Sequence, residues 1–382
     1  MDEDERNPED TEEQEEQQDA LAAFWAYVEV AALSIFARRI FAIDEKTTAV
    51  DIAVGASDAM AEFHEFISMA LRQGKAQAAD ILEEMAHLND LWAAKFYEAA
   101  SVAMKKIGDN LRTTPKFKDG LRESYDVLND IVDTSVMRLI APDGSSVDIR
   151  NAYLAACNNA VASIRAGEAP EVATRRAVKK LSSGGIRVAY KSGVTRELYA
   201  AVSMNVMDTY RATLANIRDA QADEFGADGV QVSAHSMCAP DHLPYQGRQF
   251  TKAEFERIQN GLGRKIAGGL NCRHTVSRVR LGVGEVSAKK RAQIRRTSTR
   301  NVKNPNGGTM TAYEFTQWQR AEETAIRKLR MKAQILENGG DSAGADEYRR
   351  RIAAKKRNYS DWSNTNGVPT RYQRMEVYDW KN

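Results

Sequence analysis

Cysteine and histidine, the residue types best suited to metal binding and nucleophilic catalysis, are concentrated in one part of this 382-residue chain. The segment from Val230 to Gly282 holds three of the five histidines and two of the three cysteines. Thiolates and imidazoles are ligands that zinc prefers, and a thiol beside an imidazole can also act as a nucleophile and its base. Metal or nucleophile chemistry, if the chain has any, is therefore expected in this segment.

One tetrahedral zinc site can be composed from these side chains. Cys238 and His242 are spaced C-x3-H, and Cys272 and His274 are spaced C-x-H, which together supply a Cys2His2 ligand set. Residues i and i+2 of a strand face the same side, so the shorter spacing is geometrically allowed. It is nevertheless short beside the usual finger spacings. Zinc is the one candidate metal, and no other cofactor is predicted.

Two other interpretations of the same residues stay open. In the first, His235, His242, Asn271 and His274 hydrogen-bond the turn backbones and one another, as a loop-rich module requires. In the second, Cys272 and a histidine form a nucleophile and base, or the histidines and a neighbouring aspartate form a metal-dependent hydrolase. Spacing does not establish hydrogen-bond reach and no third orienting group is identifiable, so no catalytic residue is predicted.

The elements around this segment are predicted to be mainly α-helical. Apolar residues at spacings of three and four indicate long amphipathic helices within residues 21–225. Inside the segment, residues 230–232, 248–250 and 278–281 are predicted as short strands, and residues 252–259 as a short helix. The predicted fold class is therefore mainly α, with an elongated helical domain, then a small α+β module that contains the Cys/His residues, and then a basic helical C-terminal arm.

Several boundaries outside the module can also be predicted. Helices are expected over residues 117–140, 146–166 and 312–336, and a helix of about six turns from residue 195. Cys157 shares one side of its helix with apolar residues, so it is predicted to be a small core residue.

Charge is distributed unevenly, although the net charge is only +1. Residues 1–20 carry a net charge of about −10, whereas the residues after Gly263 carry about +15. The acidic end lacks apolar periodicity and is predicted to be a disordered tail. The predicted domains are a disordered acidic tail (1–20), a helical domain (21–225), the α+β module (226–284) and the basic helical arm (285–382).

The longest apolar run, residues 20–43, is not predicted to enter a membrane. Glu29, Arg38 and Arg39 interrupt it, and each charge is costly at membrane depth, so a buried or partner-facing helix is expected instead. Three cysteines without a signal-peptide pattern are typical of a protein made in a reducing compartment.

The basic arm is predicted either to be solvated or to contact phosphate groups. Tyr348, Tyr359, Trp362, Tyr372 and Trp380 interleave with its charges, as on surfaces that bind nucleic acid without sequence preference. The candidate nucleic-acid-binding residues are Lys289, Lys290, Arg291, Arg295, Arg296, Arg349, Arg350, Arg351, Lys355, Lys356 and Arg357.

Several short motifs in a fixed order resemble the phage minor capsid protein 2 family, with phage Mu F-like minor head proteins as more distant relatives. The likeness begins near Ala152, covers the segment from Gly167 to Ala212, and continues through the YEFTQWQR helix at residues 313–320. Cys238-Ala239 stands where the family has Ala-Arg before the proline. The motif residues that carry the resemblance are His235, Pro240, His242, Gln246, Gly247, Asn271, Cys272, Arg273 and His274.

The resemblance implies a structural minor capsid protein of a tailed bacteriophage, not an enzyme, assembled in the host cytoplasm and incorporated into the virion. It implies the portal protein or the major capsid protein as partners, packaged DNA held by non-specific electrostatics, and a role in head assembly, DNA packaging or ejection. The alternative is a virion-borne enzyme or toxin-like effector, a metal-dependent hydrolase or nuclease that uses the Cys/His module. A C-terminal arm of about 90 residues without an acid/base constellation disfavours that alternative.

Overall fold

The computed structural model describes residues 8–70, 72–73, 137–140, 146–189, 195–201, 226–267 and 272–377. This part of the chain is mainly helical, which confirms the predicted fold class. The longer helices are α1 (Pro8–Phe41), α2 (residues 49–70), α3 (Ile149–Arg165), α4 (Pro170–Leu181), α5 (Lys252–Gly261), α6 (Ala288–Thr299), α7 (Ala312–Gly339) and α8 (Ser342–Asn366). Residues 198–201 are also helical, and Tyr372–Met375 form a short 3-10 helix. The strands are β1 (Met137–Ile140), β2 (Ser146–Asp148), β3 (Ile186–Ala189), β4 (Thr195–Glu197), β5 (Gly229–Val232), β6 (Gln249–Thr251), β7 (Val276–Val279), β8 (Asn301–Lys303) and β9 (Thr309–Thr311).

The strands form small antiparallel sheets. The orders are β2-β1-β3-β4, β6-β5-β7 and β8-β9. In the three-stranded sheet, Val230 pairs with Phe250 on one side and with Arg278 on the other. This sheet positions the Cys/His segment, because the loop after β5 and the residues before β7 meet at the same end of it.

Helix α1 is the centre of the largest hydrophobic core. Trp25, Phe36 and Ile40 on this helix are fully buried, and residues of α2, α3, α4, α7 and α8 pack in the same core. Helix α7 approaches α1 so closely that a Cβ on Gly339 would lie 2.7 Å from Phe41 Cδ2. The C-terminal helices thus share a core with the N-terminal helix, and the predicted four-domain division stays a prediction.

The N-terminal end of α1 differs from the sequence-based expectation. The helix begins at Pro8, so residues 8–20 are helical where the acidic composition predicted a disordered tail. Proline is well tolerated in the first helical turn, and negative charge near a helix N-terminus is favoured by the helix dipole. At the end of this stretch, Arg374 Nε donates to Asp19 Oδ2 at 3.1 Å, which fastens α1 to the C-terminal residues.

Residues Asp19–Phe41 are long and apolar enough to cross a membrane by length and composition, with a mean hydropathy of 1.8. In the structure, 83% of that apolar window is buried inside the fold. The core helices of soluble proteins can be equally long and apolar, and the apolar residues of this stretch pack in the protein's own core.

Helices and strands outside the module match the predictions in part. Helix α7 begins at Ala312 as predicted, and Cys157 is fully buried as a core residue. The predicted helix over residues 117–140 is wrong at its end, where residues 137–140 form β1 because pairing with β2 and β3 overrides the local pattern. Residues 117–136 lie outside the described part of the chain.

Two other helices start later than predicted. Strand β2 precedes α3 where one helix was expected over residues 146–166, and β4 precedes a helix that starts at residue 198. Pairing with β1 and β3 accounts for both differences. Residues 202–225, which complete the predicted six-turn helix, lie outside the described residues.

Inside the module, the predicted strands at residues 230–232 and 248–250 correspond to β5 and β6. The third strand covers Val276–Val279 rather than residues 278–281, since its register with β5 places Val276 opposite Val232. Helix α5 is confirmed. It begins with a capping box, in which the Thr251 side chain accepts from Glu254 N and Glu254 accepts from Thr251 N.

Candidate metal centre

Two segments that are distant in sequence converge at the end of the three-stranded sheet. The loop between β5 and β6 carries His235, Cys238 and His242, and Cys272 and His274 precede β7. Ser233 N donates to Thr275 O at 3.0 Å, and Thr275 N donates to Ser233 Oγ at 2.9 Å, so the sheet ladder continues into both segments. The five side chains on these segments, called the Cys/His cluster below, are His235, Cys238, His242, Cys272 and His274.

The Cys/His cluster consists of two groups of three that share His274. In the first triad, His235, Cys238 and His274 place their ligand atoms within 4.8 Å of one another, and Cys238 Sγ lies 3.6 Å from His274 Nε2. In the second triad, the Cys272 sulfur lies 3.6 Å from His242 Nδ1 and 3.5 Å from His274 Nδ1. Imidazole nitrogens and thiol sulfurs at these separations could hold a soft or borderline metal ion.

Backbone contacts fix the tautomers of two histidines. His242 Nε2 lies 2.8 Å from Arg264 O, and because a carbonyl only accepts, Nε2 must carry the proton. His242 Nδ1 then carries a lone pair, which faces the Cys272 sulfur. His235 Nδ1 lies 3.0 Å from Ser236 O and must also be the donor, which leaves His235 Nε2 as a lone pair.

The His235 Nε2 lone pair is buried and has no hydrogen-bond partner among the residues that the structure describes, whereas the His235 backbone is hydrogen-bonded. His235 N donates to Gln246 Oε1 at 3.2 Å, and the His235 and His274 ring centroids are 4.4 Å apart. Cys238 N in turn donates to Ser298 Oγ at 3.2 Å, from helix α6. The surrounding residues therefore hold the first triad in place through its backbone.

Burial controls the protonation of the cluster. Cys238, His242 and His274 are 0%, 2% and 2% exposed, and Cys272 is 4% exposed. Burial lowers the pKa of His274 to about 2 and that of His235 to about 4, so both rings are neutral at pH 7. Burial also raises the pKa of Cys238 to about 12. Without a metal, the Cys238 sulfur is therefore a neutral thiol rather than a nucleophilic thiolate.

The structure brings together all four residues of the predicted zinc set, Cys238, His242, Cys272 and His274, but divides them between the two triads. The two sulfurs approach opposite nitrogens of His274. His235, which was not in that set, joins the cluster. Spacing could not reveal its position, because the contact between His235 and His274 depends on the pairing of β5 with β7. The metal site stays a prediction.

Other residues of the predicted family motif position the loop. Gln246 is buried and accepts from His235 N. Gly247 has φ +70°, and a Cβ there would lie 3.1 Å from both Arg291 Cγ and Val286 Cβ. Exposed Pro240 follows Ala239, whose carbonyl accepts from His242 N at 3.0 Å. Asn271 lies outside the described residues.

Arg273 is coupled electrostatically to Arg320 and Arg374, and its charge also helps to lower the pKa of the neighbouring His235 and His274. Burial and the charge of Arg374 lower the pKa of Arg273 to about 10, and Arg320 has a pKa of about 10 for the same kind of reason. Asp19 and Glu323 supply opposite charge. The arginine of the predicted motif thus belongs to a buried charge network between α1, α7 and the C-terminal residues.

The candidate nucleic-acid-binding residues occupy two helices and differ in their surroundings. On α6, Arg291 Nη1 donates to Glu285 Oε1 at 2.9 Å, whereas Lys289, Arg295 and Arg296 are exposed. Lys290 has an interaction partner. Among the residues that the structure describes, Lys289, Arg295 and Arg296 form no ion pair.

On α8, several of the candidate cations already have partners. Arg349 pairs with Glu337 and Asp346, and Lys355 Nζ lies 2.7 Å from Glu322 Oε2. The exposed Arg350 and Arg357 form no ion pair within the described residues. The remaining candidates on α8 lie over aromatic rings, Arg351 over Tyr348 and Lys356 over Tyr372.

The aromatic residues of the arm do not all face solvent. Tyr359 is fully buried and Tyr348 is 8% exposed, so these two pack in the core and cannot stack on a nucleic-acid base. Tyr372 is 39% exposed, and Trp380 lies outside the described residues. The predicted nucleic-acid surface thus depends on the exposed cations rather than on an aromatic stripe.

Comparisons with known proteins give one match. A family model described as phage minor capsid protein 2 matches residues 10–363, from the first turn of α1 to the last turn of α8. No curated protein and no solved structure matches the chain. The match therefore includes the Cys/His cluster, the shared helical core and both basic helices.

Proposed function

Because this chain belongs to the phage minor capsid protein 2 family, we propose that it is placed at the portal side of the capsid interior and supports head assembly, DNA packaging or ejection. Membership makes the chain a structural phage protein of the virion, in contact with other virion components. The observation that carries the proposal is the extent of the match, which leaves little of the chain for another function.

The proposed protein partners are the portal protein and the major capsid protein, met during assembly in the host cytoplasm. Helix α2 supports a contact with protein, because Val50 and Val54 lie one turn apart on it and are 70% and 55% exposed. Two exposed valines one helical turn apart form a small apolar surface, which another protein could cover.

The proposed contact with packaged DNA is electrostatic and independent of sequence. Lys289, Arg295 and Arg296 on α6 and Arg350 and Arg357 on α8 are exposed, and they form no ion pair among the described residues. Phosphate groups are the natural partners of such unpaired cations, and a capsid interior presents DNA at high concentration.

We propose no catalytic role for the Cys/His cluster. Cys272 lies within reach of His242 and His274, as a nucleophile and base would. All three side chains are at most 4% exposed, however, so a substrate carbonyl or phosphate could not reach the sulfur. Burial of this kind favours a structural role over that of a virion-borne hydrolase, nuclease or toxin-like effector.

The proposal is tested in virions from a phage whose gene for this chain is deleted and supplied in trans. The chain is quantified by mass spectrometry in purified virions and in DNA-free heads, and a photo-crosslinking residue replaces Val50. A matched crosslinker replaces Val172, which is 49% exposed on α4. We expect the chain in both particles and crosslinks from position 50 to the portal protein.

Different outcomes would remove different parts of the proposal. A chain absent from both particles would contradict incorporation. Crosslinks from position 50 to the major capsid protein alone would contradict placement at the portal. Presence in DNA-filled virions but not in DNA-free heads would mean that DNA, rather than protein, recruits the chain. Normal yields of infectious virions without the chain would exclude a role in assembly, packaging or ejection.

A further inference from the structure

We propose that the module binds one zinc-class metal ion through His235 Nε2, Cys238 Sγ and His274 Nε2, the first triad of the Cys/His cluster. This inference concerns how the module is held together and goes beyond the proposed role in the phage head. It also differs from the Cys2His2 set that spacing predicts, because it includes His235 and leaves His242 and Cys272 out of the coordination shell.

The first argument is the unsatisfied lone pair of His235. The Ser236 carbonyl accepts from Nδ1 of His235, so the ring's Nε2 can act only as an acceptor. Within the described structure this Nε2 is buried without a partner. An unsatisfied buried acceptor is destabilising, because it loses its hydrogen bonds to water and gains none in the folded state. A cation beside Cys238 and His274 would satisfy it, because each of the three residues offers one ligand atom within 4.8 Å of the other two.

The second argument is the sulfur–nitrogen distance. Zinc binds thiolate sulfur at about 2.3 Å and imidazole nitrogen at about 2.0–2.1 Å, which in a tetrahedron separates the two ligand atoms by about 3.5 Å. Cys238 Sγ and His274 Nε2 are 3.6 Å apart. Both atoms are therefore already at a separation that one tetrahedral ion requires.

The third argument is that the second triad can satisfy itself by hydrogen bonds. If His274 Nε2 binds the ion, its Nδ1 carries the proton and donates to Cys272 Sγ at 3.5 Å. The Cys272 thiol can then donate to His242 Nδ1 at 3.6 Å, and His242 Nε2 donates to Arg264 O. Such a chain of hydrogen bonds is the usual support of a metal-bound histidine.

The ion would add a strong link between two segments that the sheet and the contacts within the Cys/His cluster already bring together. His235 and Cys238 belong to the loop after β5, whereas His274 leads into β7. One thiolate and two imidazoles suit zinc better than the hard cations calcium or magnesium. Because the module's apolar core is small, centred on Val230, Val232, Phe250 and Ile266, the ion would contribute directly to the stability of the module.

Zinc content of the purified full chain is the first test, with the protein prepared without chelator. We expect about one zinc per chain in the wild type and less than about 0.2 in His235→Ala and Cys238→Ser. The matched controls are Cys272→Ser, which removes the other thiol of the cluster, and Cys157→Ala, a buried cysteine of the helical core. Both controls should keep at least half of the wild-type zinc in zinc-containing buffer, and circular dichroism checks that each variant is folded.

X-ray absorption of the zinc-loaded wild type gives a readout that needs no folded variant. We expect one sulfur at about 2.3 Å, with the other scatterers at nitrogen or oxygen distances. Two sulfurs per zinc would overturn the proposal in favour of the Cys2His2 set. Loss of zinc in Cys272→Ser but not in Cys238→Ser would move the ion to the second triad. Wild-type protein that keeps its fold in chelator with less than about 0.2 zinc would rule out the site altogether.

Discussion

Arg175 and Asp341 form a two-bonded ion pair that connects helix α4 to the turn between α7 and α8. Arg175 Nη2 donates to Asp341 Oδ1 at 2.6 Å, Nε donates to Oδ2 at 2.5 Å, and the two residues are 166 positions apart in sequence. Asp341 is also the N-cap of α8, where its Oδ1 accepts from Gly344 N. One carboxylate thus both starts α8 and ties the C-terminal helices to the core around α1.

Removing the arginine should therefore destabilise the whole helical core. We expect Arg175→Ala to lower the free energy of unfolding by about 2 kcal/mol, because it leaves a buried carboxylate without its cation. The hydrogen bond from Arg175 lowers the pKa of Asp341, so this stabilisation is present above the unfolded pKa of about 4 and is lost as the pH falls through the folded pKa. The gap between wild type and variant, measured by urea unfolding, should accordingly shrink below about pH 4.

A neighbouring ion pair supplies the control. Lys179 Nζ lies 2.8 Å from Glu347 Oε2 across the same pair of helices, but the Glu347 side chain is 49% exposed. We expect Glu347→Gln to change the free energy of unfolding by at most about 0.5 kcal/mol. Equal losses from the two substitutions would show that the buried geometry of Arg175 and Asp341 has no special effect.

Glu29, in the middle of α1, should make stability decrease with increasing pH. Its Oε1 accepts from Ile186 N at 2.9 Å, and its Oε2 is buried without a partner in the described part of the chain. Burial raises the pKa of this carboxyl to about 8. In the unfolded chain a glutamate ionises near about pH 4.3. Between these values the folded state binds more protons, so the stabilisation is complete below about pH 4 and is lost as the pH rises to about 8.

Glu29→Gln removes this titration while keeping the size of the side chain. We expect the variant's free energy of unfolding, relative to wild type, to rise by about 4 kcal/mol between pH 5 and pH 9. The control is Glu62→Gln, whose exposed carboxylate pairs with Arg38 at the surface and should give a small, constant difference. A flat difference for Glu29→Gln as well would mean that the native carboxylate is ionised throughout.

Gly247 is predicted to tolerate a methyl group worse than another glycine of the same module. Both Gly247 and Gly282 have positive φ, +70° and +81°, but only at Gly247 would a Cβ meet other side chains, at 3.1–3.2 Å. We expect Gly282→Ala to cost about 1 kcal/mol for the backbone conformation alone. Gly247→Ala should cost about 2 kcal/mol more, because Arg291, Val286 and Ala234 must move. Thermal unfolding of both variants tests the difference, and similar losses would contradict it.

The parts of this structure that could be predicted from the sequence are those that local signals specify. Helix α5 follows the pattern Thr251-x-x-Glu254 and helix α7 the pattern Thr311-x-x-Glu314, and in both the capping box forms as the sequence allows. Spacing likewise identified Cys157 as a core residue. Strand β1 was missed because Met137–Ile140 is stabilised by partners on both sides, and those partners are not visible in the local pattern.

In the candidate metal site, too, local sequence signals could predict some features, whereas others depend on residues distant in sequence. Residue types and spacing identified the segment and four of the five cluster residues. They could not show that His274 presents one nitrogen to Cys238 and the other to Cys272, since that arrangement depends on loop geometry and sheet register. The burial of Tyr359 was also invisible, because its hydroxyl donates to Glu323 on a helix 36 positions earlier in the sequence.

The proposed contact with DNA should depend on the exposed cations of α6. Each phosphate contact on duplex DNA contributes about 0.9 to the slope of log affinity against log salt concentration. We expect the combined variant Lys289→Gln, Arg295→Gln and Arg296→Gln to reduce that slope by about 2–3 and to weaken binding to unrelated sequences equally. Fluorescence anisotropy with two duplexes of different sequence, over a salt series, measures both quantities.

A control of equal charge change separates these cations from the protein's overall charge. Arg38, Arg176 and Lys328 each form an ion pair with a glutamate, so their combined replacement by glutamine lowers the net charge by the same amount. Because paired cations release few counterions to a DNA phosphate, we expect this control to keep the wild-type salt slope. Equal reductions in the two triple variants would mean that net charge alone drives binding, and that α6 is not a DNA-contacting surface.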